Sequence, residues 1–210
     1  MRSSGACAPG WRVMADTGPE AVLAEIAGHL ARLGRPFALV GGLAVSLRAE
    51  VRFTRDVDLA IAATDDADVE QLVHTLQSVG YFPVATVEHL ERHRLSTVRL
   101  ASPAGVVVDL LAASSGIEAE VVARATPIDF GEIGEIPVAR VEELLAMKVL
   151  SMTERRLQDR IDAVNLVLLN EDLDLDAVRE NLAEITRRGF HREQDLFAKL
   201  AAILEDAASH

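Results

Sequence analysis

Residues Phe37 to Leu59 constrain the fold of this 210-residue chain more than any other stretch. The apolar run Phe37-Ala-Leu-Val40 enters Gly41-Gly42, and Leu43-Ala-Val-Ser-Leu-Arg48 follows with the composition of a helix. That order predicts a strand, a tight turn and a helix N-terminus, where backbone N–H groups form a natural cradle for phosphate. Asp56 comes fourteen residues after Gly42, and Asp58 comes two later in Asp56-Val-Asp-Leu59. Two apart on a strand, both carboxylates face one side, roughly 7 Å from each other along the chain. Like charges so placed repel unless a cation sits between them. A phosphate cradle beside a cation-seeking carboxylate pair points to nucleotide chemistry.

The elements on either side are legible in the same way. Pro19 and Glu20 open a helix to Leu33, with Val22, Leu23, Ile26, Leu30 and Leu33 on one face. Gly34-Arg35-Pro36 ends it. Asp65, Asp66 and Asp68 precede a helix to about Val79 whose stripe is Val69, Leu72, Val73 and Leu76; acids at a helix start read as caps rather than ligands. Tyr81–Ala85 and Leu95–Leu100 read as strands, and Ser102-Pro-Ala-Gly105 turns the second into Val106–Ala112. That last strand is apolar on both faces except for Asp109. A buried strand carries such a carboxylate at a cost unless it has a partner: an arginine, or a metal shared with Asp56 and Asp58.

Short strands at Thr126–Phe130 and Ile136–Val138 follow, and from Val141 the pattern is helical: about 141–152, 155–169, 174–188 and 191–207, with Gly189 as a C-cap. The expected fold is therefore α+β, a small mixed sheet with helices over 18–140, then a C-terminal helical bundle over 141–210. The Ser-, Gly- and Pro-containing stretch 1–17 reads as a disordered tail, with Met14 as a possible second start.

Half of the residues are hydrophobic, ample for a sizeable core. No apolar run approaches the roughly 20 residues that span a bilayer, and the N-terminus lacks the apolar region of a secretory signal. Cys7 is the single cysteine, so no internal disulfide forms, and a cytoplasmic protein is expected. The net charge of −12 opposes non-specific coating of nucleic acid, though a local patch decides affinity. Arginines cluster at Arg48, Arg52 and Arg55, at Arg92, Arg94 and Arg99 with His93, and at Arg155, Arg156 and Arg160; these are either solvated faces or such patches. Lys148 and Lys199 are the only lysines.

Neither Gly-Gly nor Asp-x-Asp is specific alone; their combination with strand, turn and helix, and with a further buried Asp, is more so. There is no G-x-x-x-x-G-K-[ST], no zinc-type His and Cys spacing and no G-x-S-x-G. The constellation Gly41-Gly42, Asp56, Asp58 and Asp109 resembles the DNA polymerase β-type nucleotidyltransferase superfamily. Downstream, Val141-Glu-Glu-Leu-Leu-Ala-Met-Lys-Val-Leu150 and Arg155-Arg-Leu-Gln-Asp-Arg-Ile-Asp-Ala-Val-Asn-Leu166 resemble the C-terminal part of AbiEii-type nucleotidyltransferases, which include the MenT toxins. Lys148 matches that family's helical Lys, and Asp159 and Asp162 match its acids; Gln158 stands where the family often has Lys.

Read from the residues alone, Lys148 lies on or beside a buried stripe. It is either a snorkelling side chain or an ammonium aimed at a triphosphate. Asp159 and Asp162 share a helix face, and Leu157, Ile161, Val164 and Leu168 form the expected core stripe, which leaves the two acids on a solvated face unless they serve a site. Ser46 is either a phosphate ligand or a helix-surface serine. Thr54 is either an ordinary β-branched strand residue or a regulatory position, because a phosphate there would place negative charge among the carboxylates.

The resemblance implies transfer of NMP from an NTP. Mg2+ or Mn2+ would be held by Asp56, Asp58 and Asp109, with the phosphates near Gly41, Gly42, Ser46 and Lys148 and with Asp159 and Asp162 as further nucleotide-binding positions. It also implies a toxin with a cognate antitoxin, and a tRNA 3′ end as acceptor. A protein or small-molecule acceptor, or a non-catalytic nucleotide-binding module, are the alternatives, and no membrane association is expected.

Overall fold

The computed structural model describes residues 18–89, 93–131 and 134–210. The expected N-terminal tail with Cys7 and Met14, and Arg92 of the second arginine cluster, lie outside the described residues.

Pro19 stands in the first turn of α1 (Pro19–Arg32), which buries Val22, Leu23, Ile26 and Leu30 as their spacing requires. Leu33 falls beyond the helix, at its C-cap, and is exposed rather than part of the stripe. β1 (Phe37–Val40) is buried along its whole length, and the chain turns at Gly41 directly into α2 (Gly41–Arg48). β2 (Asp56–Ile61) returns antiparallel to β1. Asp65 caps α3 (Asp66–Gln77) by accepting the Asp68 N–H, while Asp66 and Asp68 pair with Arg94 and Arg35. All three acids thus serve this helix and its anchoring.

β3 (Phe82–His89), β4 (Arg94–Ala101) and β5 (Val107–Leu111) form an antiparallel meander. β3 starts and ends later than Tyr81–Ala85, because Tyr81 is fully buried ahead of the strand and the edge continues to His89. α4 (Glu118–Arg124) leads to the hairpin of β6 (Thr126–Asp129) and β7 (Glu135–Val138). Four helices complete the chain: α5 (Val141–Ser151), α6 (Leu157–Leu168), α7 (Leu175–Arg187) and α8 (Leu196–Ala208). Gly189, with φ +75, ends α7; the N–H of Phe190 reaches back to Ile185 O and that of Gly189 to Thr186 O.

The seven strands form one mixed sheet in the order β3-β4-β5-β2-β1-β7-β6. β5 runs parallel to β2 and lies inside the sheet, as its apolar character on both faces demands. α2 packs on β2 and against α5 and α6, so the helical part closes over one end of the sheet. A single cluster of buried apolar residues runs from Val22 to Ile203 through both parts.

α6 is rotated from the expected face. Leu157, Ile161 and Leu168 are exposed, while Asp162, Ala163 and Leu166 are buried. The stripe rule assumes that carboxylates face water. Here Asp162 finds cations inside the fold, and the helix turns its acids inward.

Candidate active site

Strand register sets one row of side chains across the sheet. Val40 of β1 pairs with Asp58 of β2, Asp58 with Asp109 of β5, and Asp109 with Arg99 of β4. Neighbouring strands lie about 4.8 Å apart, so the row brings Asp58 and Asp109 side by side. Asp56, two residues before Asp58, falls opposite Val107. The three carboxylates line a cleft of about 1170 Å3, together with Gly41, Gly42, Thr54, Lys148, Gln158 and Asp159.

The turn at Gly41-Gly42 is shaped around the acids. Gly41 has φ +65, and a Cβ on it would overlap the Asp58 carboxylate. The Gly42 backbone, a candidate phosphate ligand by sequence, faces Asp58 and favours its charged form. Burial, then the negative charges of Asp109 and Asp56, push Asp58 up to about 6, and Lys148 and the Gly42 backbone only partly offset them. A carboxylate lifted by burial and by neighbouring carboxylates is well placed to gain from a divalent cation.

Asp109 accepts two hydrogen bonds from Arg99, at 2.8 Å from Nε and 2.7 Å from Nη2. This bidentate pair raises the already high Arg99 pKa further. The arginine partner weighed from sequence is therefore present, and it lies in the same row as the candidate metal ligands. No cluster of three His, Cys, Asp or Glu groups in metal-holding geometry occurs among the described residues. The donor set nevertheless fits Mg2+, which takes one or two carboxylates and completes its shell with water and substrate phosphate. Asp56 and Asp58 supply such a pair of hard oxygen donors.

Lys148 closes the opposite wall. It is only 8% exposed, so its ammonium does not snorkel to water. Nζ lies 2.8 Å from Asp159 Oδ1 and 2.7 Å from Asp162 Oδ2. Asp162, 1% exposed, also receives Arg52 and the Gln158 amide at 2.9 Å. Burial works to raise its pKa, but the Gln158 and Lys148 hydrogen bonds and the charges of Lys148 and Arg52 hold it below the ordinary value. Gln158 thus donates to Asp162 without adding charge. Arg52 ties the loop before β2 to α6, a link that its place in an arginine-rich stretch does not reveal.

Ser46 and Asp162 are absent from the cleft lining. The Ser46 hydroxyl instead faces the Gly42 and Arg52 carbonyls, at 3.1 and 3.3 Å, latching the loop onto α2. Thr54 stands beside the turn: a Cβ on Gly42 would come within 2.7 Å of its Oγ1.

A family model described as nucleotidyl transferase AbiEii toxin, type IV TA system, matches residues 27–209. The chain belongs to this family. It is accordingly a nucleotidyltransferase of a toxin family, and the carboxylate row, the Gly-Gly turn and Lys148 fall within the matched region. Among solved structures, it is similar to an antigenic nucleotidyltransferase-like protein from Paracoccidioides brasiliensis, with 19% identity, 89% of this chain and 94% of that chain covered, and a TM-score of 0.48. The lincosamide antibiotic adenylyltransferase LnuA shares 16% identity over 73% of this chain and 99% of that one, with a TM-score of 0.48. MenT4, a nucleotidyltransferase toxin from Mycobacterium tuberculosis H37Rv, shares 14% identity over 88% and 91%, with a TM-score of 0.34. No curated protein sequence matches the chain.

Proposed function

We propose that this AbiEii-family member transfers NMP from an NTP to the 3′ hydroxyl of a tRNA, with Mg2+ as cofactor, and acts as a cytoplasmic toxin restrained by a cognate antitoxin. The observation that carries the reading is the row Asp58–Asp109 beside a glycine turn, faced across one cleft by a buried lysine. No described helix is long and apolar enough to cross a membrane.

Asp56 and Asp58 would hold the cation, with Asp109 beside them as a third donor once it is released from Arg99. When bound, Mg2+ neutralises charge on the triphosphate and on the departing pyrophosphate. The Cβ-less Gly41 lets the Asp58 carboxylate pack against the turn, and Gly42 does the same for Arg52 and Thr54, so the turn sets the acid beside the place the NTP phosphates would take. Lys148, steered by Asp159 and Asp162, supplies a compact positive charge to the phosphates. The acceptor oxygen attacks the α-phosphorus in line, the bond to the pyrophosphate oxygen breaks, and Asp109, once free of Arg99, takes the hydroxyl proton. We treat residues 18–140 as the catalytic part and 141–210 as the helical part that brings Lys148 and Asp159 to it.

The net charge of −12 favours, at long range, a protein or small-molecule acceptor over RNA. Incubating the purified chain with each labelled NTP, Mg2+, and either total RNA or lysate protein separates these acceptors. Label in the tRNA band is expected; label confined to protein or to small products would replace the acceptor and keep the chemistry.

A further inference from the structure

In this acidic chain most described arginines have found a carboxylate: Arg35, Arg52, Arg94, Arg99, Arg160 and Arg188 are examples. Arg55, Arg155 and Arg192 make no ion pair among the described residues, and all three line the active-site cleft. Of the other described arginines, Arg32 and Arg48 also lack a carboxylate, but their guanidiniums are taken up by His29 and by Thr126 with the Val138 and Ala139 carbonyls. With 33 acidic side chains available, three cations without an ion pair gather around this one cleft.

Arg192 is held there by an unusual backbone. It sits in the turn between α7 and α8 with φ +54, and Glu193 follows with φ +56. Two successive non-glycine residues in the left-handed region are disfavoured unless the surroundings impose them. The Arg192 Nη2 donates to Ser114 O at 3.0 Å, which aims the guanidinium into the cleft. Packing around it and then the like charge of Arg156 lower its pKa from the ordinary value. Arg156 has its nearest carboxylate, Asp159, only at 3.7 Å. An anion between these guanidiniums would relieve the repulsion.

Phe53 adds a second chemistry. Its ring is 80% exposed on the cleft and carries the Arg55 guanidinium 5.6 Å from its centroid. Exposed aromatic rings interleaved with arginines are how sequence-tolerant single-stranded nucleic acid sites are built: the rings stack on bases, and the cations take phosphates. Guanidiniums suit phosphodiester oxygens because they bind two at once.

We propose that Arg155, Arg192 and the Phe53–Arg55 pair form an entry track for a single-stranded polynucleotide end, the arginines holding its phosphates and Phe53 stacking on a base. This rests on the transfer reading for its destination, the carboxylate row, but not for its binding. In the transfer reading the NTP phosphates go to the cation and Lys148, away from these three arginines, so the track serves the acceptor.

The test is fluorescence anisotropy of a labelled single-stranded RNA with a free 3′ hydroxyl, titrated with the full chain in EDTA and without NTP, beside a separate titration of labelled NTP with Mg2+. Arg192→Gly removes the guanidinium and also suits the left-handed backbone, so it should melt no lower than wild type while binding RNA about tenfold more weakly. Arg155→Gln should weaken RNA binding similarly, and each arginine variant should lower the slope of log affinity against log salt by about 0.7. Phe53→Ala should weaken RNA binding with the slope unchanged, and NTP affinity should be unaltered in all three. Unchanged RNA affinity in both arginine variants overturns the track, as does an equal loss of NTP affinity. RNA binding that responds as expected in a chain that transfers nothing to RNA would sustain the track and refute the transfer reading. Transfer to RNA with wild-type KM in every variant would do the reverse.

Discussion

Gly41 lies against Asp58 so closely that a Cβ on the glycine would stand 2.6 Å from the aspartate Cβ and overlap its carboxylate. The turn and the acid are one structural unit: Asp58 needs a glycine at position 41. The combination φ +65 and direct overlap means that Gly41→Ala should lose nearly all transfer and destabilise the fold by roughly 1–3 kcal/mol. Gly42→Ala meets only the ends of the Arg52 and Thr54 side chains, at 2.7 Å, and should be milder. Thermal melting and transfer assays on both variants check the order.

The Lys148–Asp162 pair separates stability from activity. Asp162→Ala strips a buried carboxylate from both Lys148 and Arg52 and should cost about 3–5 kcal/mol. Lys148→Ala leaves Asp162 with Arg52 and Gln158 and should cost less stability but more transfer. Lys148→Arg should also lose much activity, because a planar guanidinium does not occupy an ammonium's place. Chemical denaturation beside turnover measurements decides; full turnover in Lys148→Arg and Lys148→Ala would remove the lysine from the site.

Most of the architecture follows from local pattern. The boundaries of β1 and α2, the interior placement of β5 and the caps of α3 are set by apolar spacing, glycine and acidic helix starts. What local pattern misses is long-range compensation. The stripe Leu157, Ile161, Val164 and Leu168 follows the amphipathic rule but is not the buried face of α6: Arg52 and Lys148 neutralise Asp162 and turn the other face inward. α4 escapes because Glu118–Arg124 is short, in a stretch of mixed turns and strands, and its start is fixed by Glu118 accepting N–H groups from Ser114, Ser115 and Gly116. The Arg99–Asp109 clamp depends on the register of β4 on β5, and the left-handed Arg192 on tertiary context.

The raised Asp58 carboxyl gives the metal-free protein a defined pH response. Its folded pKa, about 6, lies above its unfolded value, so the folded state binds the proton more tightly. The resulting stabilisation is complete below about pH 4 and is lost as pH rises through about 6. In EDTA, the melting temperature of wild type relative to Asp58→Asn should therefore fall across that window. Mg2+ competes with the same proton and should reverse the trend; a pH-independent difference between the two proteins would place Asp58 in a solvated setting.

Thr54 stands against Gly42 at the edge of the carboxylate row. Thr54→Glu should inhibit strongly by capturing the cation off-centre or by obstructing the triphosphate, and phosphorylation should act in the same direction with more charge. Thr54→Ser and Thr54→Ala should be near neutral. Transfer rates at matched Mg2+ check this, and a fully active Thr54→Glu protein would place the residue outside the site.

The most direct measurement follows α-labelled NTP into tRNA with wild type, Asp56→Ala and Asp58→Ala, followed by nuclease digestion that releases the 3′-terminal nucleotide. Label should appear at the tRNA 3′ end with wild type and Mg2+ and vanish in both variants, while their melting temperatures in EDTA equal or slightly exceed that of wild type. Undiminished label in either variant, or label at no 3′ end, would contradict the account.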